Sequence, residues 1–103
     1  MRKRNWVNKL FGSWKTQNVI DQSGQNASDK ITFSKDSVNL EIFANKKLVE
    51  RYAGKYSLDV KLKLITIQYP NQPKFKFEIV KLSEKEFIFK NLKSKAINKC
   101  VRY

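Results

Sequence analysis

About eight short segments of β-type residues, each bounded by turn formers, divide most of the chain, and this rhythm constrains the fold more than any single residue does. The segments run Ser13–Ile20, Lys30–Ser34, Val38–Ala44, Leu48–Leu58, Lys61–Tyr69, Phe75–Leu82, Glu86–Asn91 and Ile97–Arg102. Apolar and polar residues alternate within them, as half-buried strands require. Clusters such as Lys35-Asp36-Ser37 and Pro70-Asn71-Gln72-Pro73 separate them. About eight antiparallel strands is the number that closes a barrel just wide enough for its own side chains or for one small ligand. The expectation is an all-β, antiparallel up-and-down barrel in a single domain spanning residues 1–103. A chain of 103 residues, 41% hydrophobic and 13% aromatic, has the material for one core.

The charge is lopsided, with 22 Lys plus Arg against 9 Asp plus Glu and a formal net charge of +13. An excess of this size attracts polyanions, anionic surfaces and acidic ligands. The lysines are scattered over nearly every segment, as on a solvated exterior. Cys100 is the only cysteine and there is no histidine, which excludes an intrachain disulfide, Cys-His zinc sites and His-based nucleophile triads. The remaining acid and base candidates show no paired spacing. The chain is therefore expected not to be an enzyme, and to need neither a metal nor a cofactor.

Met1-Arg2-Lys3-Arg4 begins like a secretory signal, but Asn8 and Lys9 break the apolar run that a signal would need. No apolar stretch is long enough for a membrane span, and a cytoplasmic location is expected. Trp6, Val7, Leu10 and Phe11 sit at helical spacing. They predict a short amphipathic helix from about Asn5 to Phe11, part of an N-terminal cap over residues 1–12 that Gly12 stops and that packs on one end of the barrel.

Cross-strand chemistry suggests register. Pairing Ala44 with Leu48 sets Glu41 against Arg51 and Leu40 against Tyr52, whereas pairing Phe43 with Leu48 would set Glu41 against Glu50. Pairing Tyr69 with Phe75 sets Ile67 against Phe77 and Ile65 against Ile79. Pairing Leu82 with Glu86 sets Ile79 against Phe89 and Glu78 against Lys90. Tyr69, Phe75, Phe77, Phe87 and Phe89 then point inward with Ile65, Ile67 and Ile79. In this register Lys63 lies opposite Lys81 on the nominally inward face. Either bulges near Leu64 and Val80 exchange the faces, or two lysines enter the interior and require an anion.

Gly12-Ser13-Trp14 opens the first strand and Arg102 ends the last. This pair resembles the lipocalin-like barrels, as do Gly54-Lys55-Tyr56 and the apolar strand ending in Tyr69-Pro70; the resemblance is to the small bacterial domains of that kind and covers most of the chain. It implies that Trp14 closes the base of the barrel and that Arg102 packs over the indole as a cation–π contact. Lipocalins proper are longer, so the interior is expected to be a shallow cavity or a core filled by aromatics.

Three functions are consistent with these features. The first is a non-catalytic barrel that holds or sequesters a small amphipathic or anionic molecule of the fatty-acid or nucleotide class. Tyr52, Tyr56, Tyr69, Phe75, Phe77, Phe87 and Phe89 would form its walls, with Lys63 and Lys81 near the rim for an acidic head group. The second is a nucleic-acid-binding module, motivated by the charge and by Lys74-Phe75-Lys76-Phe77. The third is an inhibitor that docks its basic face on an acidic protein partner. Cys100 is expected to be a small packed hydrophobe.

Overall fold

The computed structural model describes residues 8–16 and 27–103. Among these, eight strands follow one another: β1 (Gly12–Thr16), β2 (Ala27–Phe33), β3 (Ser37–Ala44), β4 (Lys47–Asp59), β5 (Leu64–Gln68), β6 (Phe75–Leu82), β7 (Glu86–Asn91) and β8 (Ile97–Arg102). Each is antiparallel to the next, and β8 returns to pair with β1, so the sheet closes into an up-and-down barrel. The last three strands have the bounds expected from sequence. The fifth is shorter, because residues 60–63 form a turn in which Asp59 Oδ1 accepts the Leu62 N–H at 3.0 Å and Lys63 adopts a φ of 57°. Among the described residues no helix is long and apolar enough to cross a membrane.

Residues 5–7 of the helix expected over residues 5–11 lie outside the described residues, and what is described does not support it. Only a turn at residues 8–10 remains, closed by a hydrogen bond from Phe11 N–H to the Asn8 carbonyl at 3.2 Å.

The hairpin registers show two competing demands and how the backbone meets both. Between β3 and β4, Asn45 and Lys46 form a two-residue turn with φ of 52° and 69°, which sets Ala44 opposite Lys47 and Phe43 opposite Leu48. The pairing expected for Ala44 and Leu48 is thus wrong at the turn. Further along, Glu41 faces Arg51 and Leu40 faces Tyr52 as expected, and the Arg51 guanidinium meets the Glu41 carboxylate at 3.3 Å. A one-residue bulge absorbs the mismatch and leaves Val49 without a partner. The β6–β7 hairpin does the same. Ile79 faces Phe89 and Glu78 faces Lys90, but Leu82 faces Phe87 rather than Glu86, and Val80 is the bulged residue. The two bulged valines are 56% and 55% exposed.

The β5–β6 register differs from expectation by two residues, with Ile67 opposite Phe75 and Ile65 opposite Phe77. The connection there is longer than a minimal hairpin. It is organised by Asn71 at a φ of 61° and by the Gln68 amide, which donates to the carbonyls of Tyr69 and Gln72. A shift of two keeps every side chain on its face, so the inward set survives.

One end of the barrel is sealed. Trp14 is 0% exposed, and its indole N–H donates to the Leu10 carbonyl at 2.9 Å. Arg102 lies directly across the ladder from it, with the guanidinium carbon 3.8 Å from the ring centroid. The guanidinium donates to the carbonyls of Phe11 at 2.8 Å, Lys9 at 2.8 Å and Glu84 at 3.1 Å. One planar group therefore covers the indole and ties the segment before β1 to the β6–β7 turn. Phe33, Val38, Leu82 and Phe87 fill the same end of the core, with the Trp14 and Phe87 rings 5.6 Å apart.

Two substitutions test this architecture. A lysine at position 102 lacks the planar fork that serves three carbonyls, and Arg102→Lys is expected to cost about 1–3 kcal/mol in denaturant unfolding; an unchanged midpoint would contradict the role assigned to the fork. At Gly54, where β4 passes from β3 to β5, an added Cβ would lie 2.5 Å from the Gln68 carbonyl oxygen and 2.8 Å from Tyr69 Cδ1. Gly54→Ala is expected to lower stability by about 1–3 kcal/mol, and a variant as stable as the parent would show that this approach is looser than described.

Candidate functional site: a cavity with one polar wall

Above the layer that contains Trp14, the barrel interior is not filled. A cavity of about 340 Å³ remains. Ile65, Ile67, Tyr69, Phe75, Phe77, Phe87 and Phe89, from the consecutive strands β5 to β7 and the turn after β5, make one wall. These side chains stack through edge contacts, with Phe77 and Phe89 5.0 Å apart and nearly perpendicular, and Tyr69 and Phe75 6.1 Å apart. Ile31, Phe33 and Leu40 continue the apolar lining on β2 and β3.

The facing side is polar. Thr16, Asp29, Asn98 and Cys100 come from β1, β2 and β8, and Asn91 lies at the end of β7. Both carboxylate oxygens of Asp29 are engaged by Thr16, one by its backbone N–H and the other by its hydroxyl, each at 2.7 Å. Because the Thr16 hydroxyl hydrogen is given to Asp29, the contact between Thr16 Oγ1 and Cys100 Sγ at 3.8 Å is donated by the thiol. Asp29 is the only charged residue that lines the cavity among the described residues.

Burial pushes the Cys100 thiol up to about 11, and Asp29 adds to the shift. Burial likewise pushes the Tyr69 phenol up to about 12. Both groups are neutral at physiological pH, so the thiol is not poised as a nucleophile. The arrangement suits the binding of an apolar body beside a few fixed hydrogen-bonding groups.

Of the residues expected to form the site, Tyr69, Phe75, Phe77, Phe87 and Phe89 line the cavity. Tyr52 and Tyr56 stand behind it. Tyr52 packs 5.8 Å from Tyr69 and its hydroxyl donates to Glu50, which raises its pKa. Tyr56 lies edge-on to Phe33 at 5.1 Å and donates to the Ser34 carbonyl.

Lys63 and Lys81 do not oppose each other and do not enter the interior. Lys63 is an exposed turn residue, and Lys81 is exposed with its ammonium 2.7 Å from Glu86. The bulge at Val80 is the exchange of faces weighed above as the alternative to inward lysines. Phe75 and Phe77 pack against the core, so the Lys74–Phe77 stretch does not present a stacking platform to solvent.

The polar wall was not singled out from sequence. The period-two alternation carried the signal, since Asp29 shares a face with Ile31 and Phe33, and Asn98 shares one with Cys100.

Because neutral Cys100 and Tyr69 are favoured in the fold, the unfolded chain loses these protons first as the pH rises through the ordinary values of 9.0 and 10.0. Their stabilising contribution is complete below about pH 9 and declines toward pH 11 and 12. Urea midpoints measured from pH 8 to pH 11 should fall more steeply for the parent than for a Tyr69→Phe, Cys100→Ala double variant. Parallel curves would refute the assignment.

No protein-family model matches the chain, and no curated protein matches it. Its fold is similar to that of a protein from Bacteroides uniformis ATCC 8492 solved by NMR, with a TM-score of 0.73 and 19% sequence identity over 94% of this chain and 91% of the other. At this identity the likeness is one of fold: an eight-stranded antiparallel β-barrel.

Proposed function

We propose that the protein is a non-catalytic, lipocalin-like barrel that holds or sequesters a small amphipathic molecule. The observation that carries this reading is the unfilled interior of about 340 Å³, at the low end of the range for ligand pockets, with its aromatic and aliphatic wall. A barrel evolved only for stability at this size would gain by filling that space, since voids cost contacts on every side. The stacked Trp14 and Arg102 support the likeness to lipocalin-like barrels, in which one end is closed and the ligand is held within.

Between the two ligand classes considered, the lining favours an apolar body over a nucleotide. Among the described residues no lysine or arginine lines the cavity, and its one charge is the carboxylate of Asp29. Several phosphate charges would be placed there without a counter-charge.

The neutral fluorophore N-phenyl-1-naphthylamine tests the reading. It should bind the parent saturably at one site with enhanced emission. Leu40→Trp, which introduces an indole at the lining, should weaken binding at least roughly tenfold, the loss of about 1.4 kcal/mol. Ile31→Phe serves as a milder second variant. Absence of saturable binding to the parent, or equal binding by both folded variants, would overturn the proposal.

A further inference from the structure

We infer that the bound molecule carries an anionic head group, and that this head sits outside the barrel in a groove between the β5–β6 and β7–β8 turns. The inference rests on the cavity being a ligand site. The groove, of about 620 Å³, is lined by Lys74, Lys76 and Lys93 with Leu92. It shares Phe75 and Asn91 with the interior cavity, so the two sites adjoin at the rim.

Three features give the groove this role. No carboxylate lines it, and among the described residues none of the three lysines takes part in an ion pair. Its floor is fixed: Leu92 N–H donates to the Lys76 carbonyl at 3.1 Å, which binds the β7–β8 turn to β6. Asn91 Oδ1 accepts the backbone N–H groups of Lys93 at 2.9 Å and Ser94 at 3.1 Å, which shapes the turn that carries Lys93. Lysine positions are thus presented on an ordered frame rather than on a loose loop.

The interior charge sets the orientation. Asp29 is a carboxylate on the cavity wall, held by Thr16. An anionic head that entered first would meet a like charge on the cavity wall, whereas an apolar tail meets Phe77, Phe89 and Ile67. Tail-first entry leaves the head at the rim, where Lys74, Lys76 and Lys93 converge. The ligand class is a single-chain amphiphile with a carboxylate or comparable monoanionic head.

The test compares decanoate with decan-1-ol as competitors of N-phenyl-1-naphthylamine. In the parent at low salt, decanoate should be preferred by roughly fivefold to tenfold, the combined worth of a few exposed ion pairs. The preference should shrink as salt is added. The triple variant Lys74→Gln, Lys76→Gln, Lys93→Gln should bind the fluorophore and decan-1-ol as the parent does and lose the preference for decanoate. A charge-matched control, Lys35→Gln, Lys61→Gln, Lys85→Gln, alters exposed residues in turns at the sealed end and should keep the preference. Equal decanoate preference in parent and triple variant, or equal loss in the control, would overturn the head-group assignment while the cavity reading stands. No fluorophore binding by the parent would remove both.

Discussion

The pairing of β1 with β8 is the constraint on which the rest of the barrel depends. Without it the sheet would expose two unpaired edges, and the interior would have no floor. Trp14 and Arg102 meet across that ladder, so the same contact that joins the first strand to the last also caps the core. The three carbonyls that receive the guanidinium lie in the segment before β1 and in the β6–β7 turn, and all of them lack a strand partner of their own there. Arg102 thereby satisfies backbone acceptors where the ladder ends and places a cation over an aromatic face in one geometry. With this end closed by a large buried indole, access to the interior falls to the opposite end, where β5–β6 and β7–β8 turn.

Much of the strand order was legible because alternation and turn chemistry agree along most of the chain. Phe75–Leu82 is a clear example, with Phe75, Phe77 and Ile79 at alternate positions and turn formers on both sides. Register was legible only in part, since two local rules disagree in the β3–β4 and β6–β7 hairpins. The side-chain pairs Glu41 with Arg51 and Ile79 with Phe89 ask for one alignment, while the turns ask for another one residue away. A pairwise argument has to choose, but the backbone inserts Val49 or Val80 and keeps both. β-branched residues tolerate the extended geometry around such a bulge, and their exposure there costs the core nothing.

The site was legible on its apolar side and missed on its polar side. Phe75, Phe77, Phe87 and Phe89 announce themselves by type and period. Asp29 does not, because a charged residue early in a strand reads as solvent-facing, and the residue that holds its carboxylate, Thr16, is on a different strand. The positions of the lysines were hard to read for the complementary reason. Lys63 and Lys81 drew attention through an extrapolated register, whereas Lys74, Lys76 and Lys93 come together only once two turns are folded side by side.

The distance along the chain that the closing contact spans has a kinetic consequence. Arg102 bonds to carbonyls 91 and 93 residues earlier, while the other seven strand pairings join neighbours. The hairpins can form with short loop closures, but the seam must wait for a search over nearly the whole chain, whose entropic cost grows with the logarithm of the loop length. Until that seam zips, β1 and β8 are bare edges and the indole of Trp14 has no cover. The seam therefore carries the largest loop-closure cost of the eight pairings, and a sheet without it would leave this highly basic chain most exposed to association with other molecules.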